Sequence, residues 1–314
     1  MISKSSKIYI AGHRGMVGSA IVRKLKKEGC HNLIFKTSKE LDLRNQSLVD
    51  KFIAKEKPDL IIDAAARVGG ILANNTYQFN FLMDNMLIQN NLINAAISNG
   101  VKKFIFFGSS CIYPRNANQP INEDQLLTSP LEKTNQWYAI AKISGVKLIE
   151  SIRNEFNYDY VSLMPTNLYG PNDNYDLKNS HVLPALIRKF HEAKLNNEDV
   201  ILWGTGKPLR EFLHVDDLAD ATMFFVQNKS ESHLYNIGSG EELSISELAI
   251  LIQKIVNHKG NILYDNNYPD GTPRKLLDSK RINDLGWRPK INLSEGIKNT
   301  YYDLLKKESL LRKE

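Results

Sequence analysis

Tyr138 and Lys142 lie four residues apart in Trp137-Tyr138-Ala139-Ile140-Ala141-Lys142. Ala139, Ile140, Ala141 and Ile143 favour helix, and neither Gly nor Pro intervenes before Gly145. The spacing therefore predicts both side chains on one helical face. An ammonium beside a phenol favours the phenolate, so Lys142 is expected to lower the Tyr138 pKa. The phenol could then pass a proton to a carbonyl oxygen near neutral pH. Alone, Tyr-x-x-x-Lys is a common pattern on solvated helices. It acquires chemical meaning if a second hydroxyl stands nearby and a nucleotide fold precedes it. Ser109 can supply the hydroxyl. It follows the apolar run Lys103-Phe104-Ile105-Phe106-Phe107-Gly108, which reads as a buried parallel strand. If the chain stays extended there, Ser109 and Cys111 point to the same side. Ser109 would hold a substrate carbonyl oxygen while Tyr138 protonates it. By residue type alone, Cys111 reads first as a small buried residue after a strand.

These groups need a scaffold, and the N-terminus reads as its first unit. Lys7-Ile8-Tyr9-Ile10-Ala11 is a short buried strand, Gly12-His13-Arg14-Gly15-Met16-Val17-Gly18 a glycine loop, and Ser19 to Leu25 a helical pattern. Strand, glycine turn and helix form the context of a dinucleotide fingerprint. One glycine allows the turn, one lets the backbone approach a pyrophosphate, and one lets helix pack on strand. The phosphates would sit at the helix N-terminus. The spacing is Gly-x-x-Gly-x-x-Gly rather than the commoner Gly-x-Gly-x-x-Gly. A second strand, Asn32 to Lys36, should end beside the adenosine ribose. An acidic residue there would favour NAD. This chain has Lys36-Thr37-Ser38-Lys39, and Arg14 lies in the loop, so the pattern favours a 2′-phosphate and NADP. Asp42 could reach the adenine. Leu60-Ile61-Ile62-Asp63 is a third strand, and the small Ala64, Ala65 and Ala66 after it permit close cofactor approach. Tyr160 to Met164 is a fifth strand ending in Pro165-Thr166-Asn167-Leu168-Tyr169-Gly170-Pro171.

The implied fold class is α/β, a Rossmann-type doubly wound parallel sheet with a smaller, discontinuous α/β substrate domain. Residues 1–170 and 213–237 are expected to form the nucleotide domain, and 171–212 with 238–314 the substrate domain. Asp216 and Asp217 read as helix-start carboxylates. The 314 residues suit one large domain or two smaller ones. Only two cysteines, Cys30 and Cys111, are present, which gives neither a disulfide framework nor a zinc cluster. No metal is expected. The formal charge of +6 is dispersed, so nucleic acid is not an expected partner. A basic balance suits an anionic small molecule such as a nucleotide diphosphate. No apolar run would span a membrane, and a cytoplasmic protein is expected.

Taken together, the Gly12/Gly15/Gly18 loop, Ser109, Tyr138 and Lys142 resemble the extended short-chain dehydrogenase/reductase family. Further stretches narrow the resemblance: Val68-Gly69-Gly70-Ile71 with Ala73-Asn74-Asn75; Gly108-Ser109-Ser110-Cys111-Ile112-Tyr113-Pro114; Met164 to Pro171; Asn179-Ser180-His181-Val182; Arg210 to Asp217; and Pro269-Asp270-Gly271-Thr272-Pro273-Arg274-Lys275. They are similar to the members that epimerise and reduce GDP-4-keto-6-deoxy-D-mannose with NADPH. The resemblance implies that Cys111 acts as base and His181 as acid in epimerisation at C3 and C5. It implies cofactor contacts from the Gly12–Gly18 loop, Lys36, Asp42, Ala65, Ala66, Pro165, Asn167 and Leu168, with Tyr138, Lys142 and His181 serving both roles. Asn167, Lys189, Trp203, Arg210 and Asp270 would bind the GDP-sugar. A homodimer through the long helices is implied as well. Trp137 stands where the family often has proline, Ser38 where some members carry arginine, and Arg67 where lysine is frequent. Relatives acting on GDP-4-keto-3,6-dideoxymannose or GDP-4-keto-heptoses keep a second expectation open: C4 reduction of a related sugar.

Overall fold

The computed structural model describes residues 2–177, 180–268 and 270–311. Lys178, Asn179 and Pro269, the last two within motifs quoted above, lie outside the described residues. The first half contains β1 (Ile8–Ala11), α1 (Met16–Lys27), β2 (Leu33–Ile34), α2 (Gln46–Glu56), β3 (Leu60–Asp63), α3 (Ile71–Thr76), α4 (Gln78–Ser98), β4 (Lys103–Phe107), α5 (Gln136–Phe156), β5 (Asp159–Pro165) and β6 (Asn167–Tyr169). The second half contains α6 (Val182–Asn196), β7 (Val200–Trp203), β8 (Leu209–His214), α7 (Val215–Gln227), β9 (Leu234–Ile237), β10 (Glu242–Ser244), α8 (Ile245–Val256), β11 (Ile262–Asp265), β12 (Arg274–Lys275), α9 (Lys280–Asp284) and α10 (Leu293–Leu311).

Six strands pair in parallel in the order β2-β1-β3-β4-β5-β9. Their side chains are buried on both faces, which explains why the strands read as continuous apolar runs. On one face Ile21 and Leu25 of α1 meet Leu218 and Phe225 of α7. On the other, Ile53 of α2, Leu92 of α4 and Val146 of α5 share a core. The strand order reverses between β1 and β3, the switch point at which open sheets of this kind bind ligands beyond the carboxyl ends of their strands. The glycine loop after β1, residues 64–66 after β3 and residues 108–111 after β4 all leave the sheet at this edge.

A second unit is built around β8, which pairs antiparallel with β10 and parallel with β12 and β6. A two-stranded sheet, β11-β7, lies apart from it. Phe190, Leu202, Phe212, Ile252 and Ile297 form a separate core beneath α6, α8 and α10.

The sequence reading of strand bounds and unit borders differs from the structure at residues 33–36, 167–169 and 213–214. The second strand is only Leu33–Ile34. The carboxylate of Glu40 accepts from the Thr37 N–H at 2.8 Å and draws the chain into a turn before Lys36 can extend the ladder. Residues 167–169, expected as a strand end running into a loop, form β6, whose register Asn167↔Phe212 ties the two units together. Residues 213 and 214, assigned to the nucleotide unit, are the end of β8 and so also belong to the second sheet.

Candidate active site

The glycine loop has the shape of a phosphate cradle. Gly12 adopts φ +75°, and a Cβ there would stand 2.6 Å from the Ala64 carbonyl oxygen. A Cβ at Gly18 would come within 2.2 Å of the Gly12 oxygen. Side chains at either position would collide with backbone and push the loop and α1 away from the sheet edge. That helix has no side-chain cap and no acidic residue in its first turn, so its first N–H groups and dipole remain available to an anion. The Nδ1 of His13 is buried without a hydrogen-bond partner among the described residues, and the ring packs 5.0 Å from that of Phe35. Burial, then the Arg14 charge, lowers the His13 pKa. These residues fit the pyrophosphate of a dinucleotide. Lys36 pairs with Glu40 at 3.7 Å, while the Asp42 carboxylate takes Nε and Nη2 of Arg44 at 3.0 and 2.9 Å. Asp42 therefore presents itself to an adenine as one half of an ion pair.

β4 and α5 position the reacting side chains. Lys142 is 3 % exposed. Its Nζ donates to the Phe107 carbonyl at 2.8 Å and sits 4.6 Å over the Phe106 ring. Burial lowers its pKa to about 8 against the pull of Asp63. Asp63 is buried in turn, and desolvation raises its carboxyl to about 6. The Ser109 side chain stands close enough to the Tyr138 phenol to lower its pKa. The expected lowering of Tyr138 by Lys142 is not found. Burial pushes the phenol up, the Cys111 charge adds to this, and the Ser109 side chain opposes it. The physical reason is geometric: the Lys142 Nζ is 6.0 Å from the Tyr138 ring centre and is bonded to a backbone carbonyl.

Nor does the chain stay extended through Cys111. Ser109 is extended at φ −161°, but residues 110–112 turn into a short 3₁₀ helix capped by its hydroxyl, which accepts from the Cys111 N–H at 3.2 Å. Ser109 and Cys111 are brought together by this cap rather than by strand alternation. The Cys111 Sγ accepts from Asn135 Nδ2 at 3.2 Å and faces Lys275 Nζ at 3.8 Å. His181 stands at the N-terminus of α6 with no capping bond from its side chain. More than a third of the residue is exposed, yet desolvation of the ring and then the Lys275 charge lower its pKa. The imidazolium is thus disfavoured where the sequence suggested an acid near its ordinary value.

The second unit supplies a polar and aromatic wall. Asn167 donates to the Glu211 carbonyl at 2.8 Å. Arg210 is partly buried, its Nη1 on its own strand at the Leu209 carbonyl. Burial lowers its pKa while Cys111 and Asp270 favour its charge. Its neighbour Glu211 is fully buried and takes the Gly240 and Leu277 N–H groups. Strand alternation thus sends Glu211 to the core and leaves Arg210 without an ion-pair partner among the described residues. Lys189 Nζ stands 4.8 Å over the Trp203 ring. Trp203 stacks on Tyr268 with ring centres 4.3 Å apart and planes 6° from parallel. Asp270 accepts from Thr205 N and Oγ1 at 2.7 and 2.8 Å. Pro165 ends β5, and Ala65, Ala66 and Leu168 lie partly exposed along the same edge. Sequence reasoning missed Asn135, Tyr268 and the proximity of Lys275 to Cys111. Only Lys275 carried a signal, as the last residue of a quoted motif.

A glycine cradle at the sheet's switch point, with a serine–tyrosine pair and a buried lysine one strand away, defines a nucleotide-dependent enzyme of the Rossmann class. The chain belongs to the NAD dependent epimerase/dehydratase family, whose model matches residues 8–238. It is 57 % identical over 302 residues to Putative GDP-L-fucose synthase 2 of Arabidopsis thaliana, covering 96 % of this chain and 92 % of that protein. Among solved structures it resembles a GDP-6-OMe-4-keto-L-xylo-heptose reductase from C. jejuni at TM-score 0.92 and 38 % identity, covering 98 % and 99 % of the two chains. It also resembles a GDP-L-fucose synthetase from Naegleria fowleri bound to NADP at TM-score 0.89 and 30 % identity, covering 98 % and 95 %.

Proposed function

We propose that the chain is an NADPH-dependent epimerase-reductase that converts GDP-4-keto-6-deoxy-D-mannose to GDP-L-fucose. One observation carries the reading: Ser109, which couples to the Tyr138 phenol, caps the short turn that carries Cys111, its hydroxyl accepting from the Cys111 N–H at 3.2 Å. A reducing apparatus and a proton-abstracting group therefore face the same substrate carbon skeleton. The 57 % identity to a protein named as a GDP-L-fucose synthase supports the substrate.

Gly12, His13, Arg14, Gly15, Met16, Val17 and Gly18 would hold the cofactor pyrophosphate, and Arg14 with Lys36 its 2′-phosphate. Asp42, Ala65, Ala66, Pro165, Asn167 and Leu168 would line the rest. When bound, NADPH supplies the hydride for C4. Lys189, Trp203, Arg210 and Asp270, with Asn167, bind the GDP-sugar: the indole lines the base pocket and the guanidinium forks onto the diphosphate. A C4 ketone acidifies the protons at C3 and C5. Cys111 as thiolate takes one, forming S–H while the C–H electron pair moves to O4 as an enolate. His181 returns a proton to the opposite face and inverts the centre. The anionic diphosphate offsets the Lys275 charge that disfavours the imidazolium. Ser109 then holds O4, and Tyr138 donates its proton as the alcohol forms. Lys142 keeps a positive charge beneath this proton path.

Phe79, Met83 and Leu87 lie on one exposed stripe of α4, and Ile140 of α5 is exposed as well. Side chains four apart share a helical face, and an apolar patch of this kind marks an association surface. A homodimer through α4 and α5 is part of the proposal. So are a cytoplasmic location, consistent with two free cysteines, and a division into nucleotide residues 1–170 with 213–237 and substrate residues 171–212 with 238–314. The described residues contain no helix long and apolar enough to cross a membrane and no His/Cys/Asp/Glu group able to hold a metal.

The TM-score of 0.92 to a GDP-heptose reductase favours a second reading, C4 reduction of a related GDP-4-keto sugar with or without epimerisation. Incubation with GDP-4-keto-6-deoxymannose and NADPH in deuterated water separates the two. Two solvent deuterons in the product sugar are expected. NADPH oxidation without C3 or C5 exchange would sink the first reading.

A further inference from the structure

We infer that Asn135 is a positioning residue for the Cys111 thiolate. Asn135 occupies the N-cap of α5, where an asparagine ordinarily accepts a backbone N–H of its own helix. Asn45 does so at the start of α2, its side chain accepting from Leu48 N. Asn135 does not. Its Nδ2 instead lies 3.2 Å from the Cys111 sulfur, and its Oδ1 is buried without a partner among the described residues. A cap has thus been given up for a sulfur contact 24 residues away in sequence. An amide N–H can bond a thiolate, which only accepts; the carbonyl end of the same amide would repel it. Two side chains reach the sulfur, Asn135 Nδ2 at 3.2 Å and Lys275 Nζ at 3.8 Å, while the Ser109 hydroxyl accepts from the Cys111 backbone N–H at 3.2 Å and fixes the main chain below it.

The other titratable groups whose charges couple to this corner are Arg210, which senses the thiolate, Tyr138, whose phenol it raises, and His181, which senses Lys275. Lys275 is a cation that an anionic ligand can draw away. Asn135 is neutral and keeps its bond when the ligand arrives. It is therefore the contact that keeps the sulfur lone pair aimed during proton removal, the step in which a C–H bond breaks, S–H forms and the electron pair passes to O4. That last statement rests on the epimerase reading above; the thiolate contact does not.

The test uses the full-length chain in a Cys30→Ser background and reads the iodoacetamide alkylation rate of Cys111 across neutral pH, melting temperature, and solvent-deuterium exchange into the GDP-4-keto sugar. Asn135→Asp puts a carboxylate against the sulfur and is expected to slow alkylation about tenfold. Asn135→Ser restores a good helix cap but is too short to reach the sulfur; it is expected to slow alkylation several-fold with the melting temperature unchanged. A merely structural role predicts that Ser matches the parent in every readout. Unchanged alkylation in either folded variant overturns the inference. Slowed alkylation with unchanged deuterium exchange upholds the contact and removes Cys111 from the epimerisation instead.

Discussion

The Lys275 ammonium lies 3.8 Å from the Cys111 sulfur although 164 residues separate them in the chain. Cys111 hangs from the end of β4 in the nucleotide sheet, whereas Lys275 belongs to β12, paired with β8 in the second sheet. The proposed proton-abstracting corner therefore exists only when the two units are docked. Lys275 also faces His181, whose imidazolium it disfavours. One cation thus contacts the sulfur and disfavours the charged form of the imidazole.

Replacing Lys275 by Met is expected to favour the protonated form of the His181 ring and to make the Cys111 sulfur less nucleophilic. The thiolate loses a counter-charge, so Cys111 alkylation falls several-fold. The imidazolium loses a repelling neighbour, so the His181 pKa rises. The basic limb of the pH profile for C3/C5 exchange, which reports a protonated His181, should move to higher pH. A limb that stays in place would remove Lys275 from control of His181.

Tyr138→Phe is expected to cut NADPH-dependent reduction by ~10²–10⁴. Exchange of solvent deuterium at C3 and C5 should persist, since Cys111 and His181 are untouched. Stopped-flow NADPH oxidation with mass analysis of the sugar separates the two rates. Full reductase activity in the variant would make the proton-donor assignment wrong.

Gly18→Ala places a methyl 2.2 Å from the Gly12 oxygen. The loop must shift to accept it, and overpacking of this kind costs about 1–3 kcal/mol. The expected outcome is loss of NADPH affinity by more than tenfold with a lower melting temperature, measured by cofactor fluorescence and calorimetry. Parental affinity would show that the cradle does not hold the pyrophosphate.

Tyr268 covers one face of Trp203. An aromatic pair is worth about 0.5–1.5 kcal/mol beyond its buried area, so Tyr268→Ala should raise KM for the GDP-sugar by roughly 3–10-fold with kcat unchanged. A change confined to kcat would place Tyr268 with the chemistry instead of with binding.

Phe79→Glu is expected to convert a dimer to a monomer in sedimentation. Phe79 is 70 % exposed, so the variant monomer should keep its fold. A charged residue at that position has no other route to change the assembly, and an unchanged sedimentation coefficient would move the interface elsewhere.

Much of this was legible in residue order. The Gly12–Gly18 loop announced its position because only a strand before it and a helix after it make three glycines useful. β4 followed from its continuous apolar run, and the start of α7 from Asp216 and Asp217. Tyr138 and Lys142 do lie on one helix, as their spacing required. What the sequence determined by itself was local: which segments are strands, which helix carries the pair, and which loop is shaped for phosphate. Local spacing follows from backbone geometry, which is the same in every protein. The tertiary structure alone decided the electrostatics. Lys142 turned to a carbonyl instead of the phenol, burial raised Tyr138 where a neighbouring charge was expected to lower it, and Asn135 and Lys275 converged on Cys111 from two different elements. Desolvation and charge–charge coupling depend on distances across the fold, and residue order carries no measure of those distances until the chain has closed on itself.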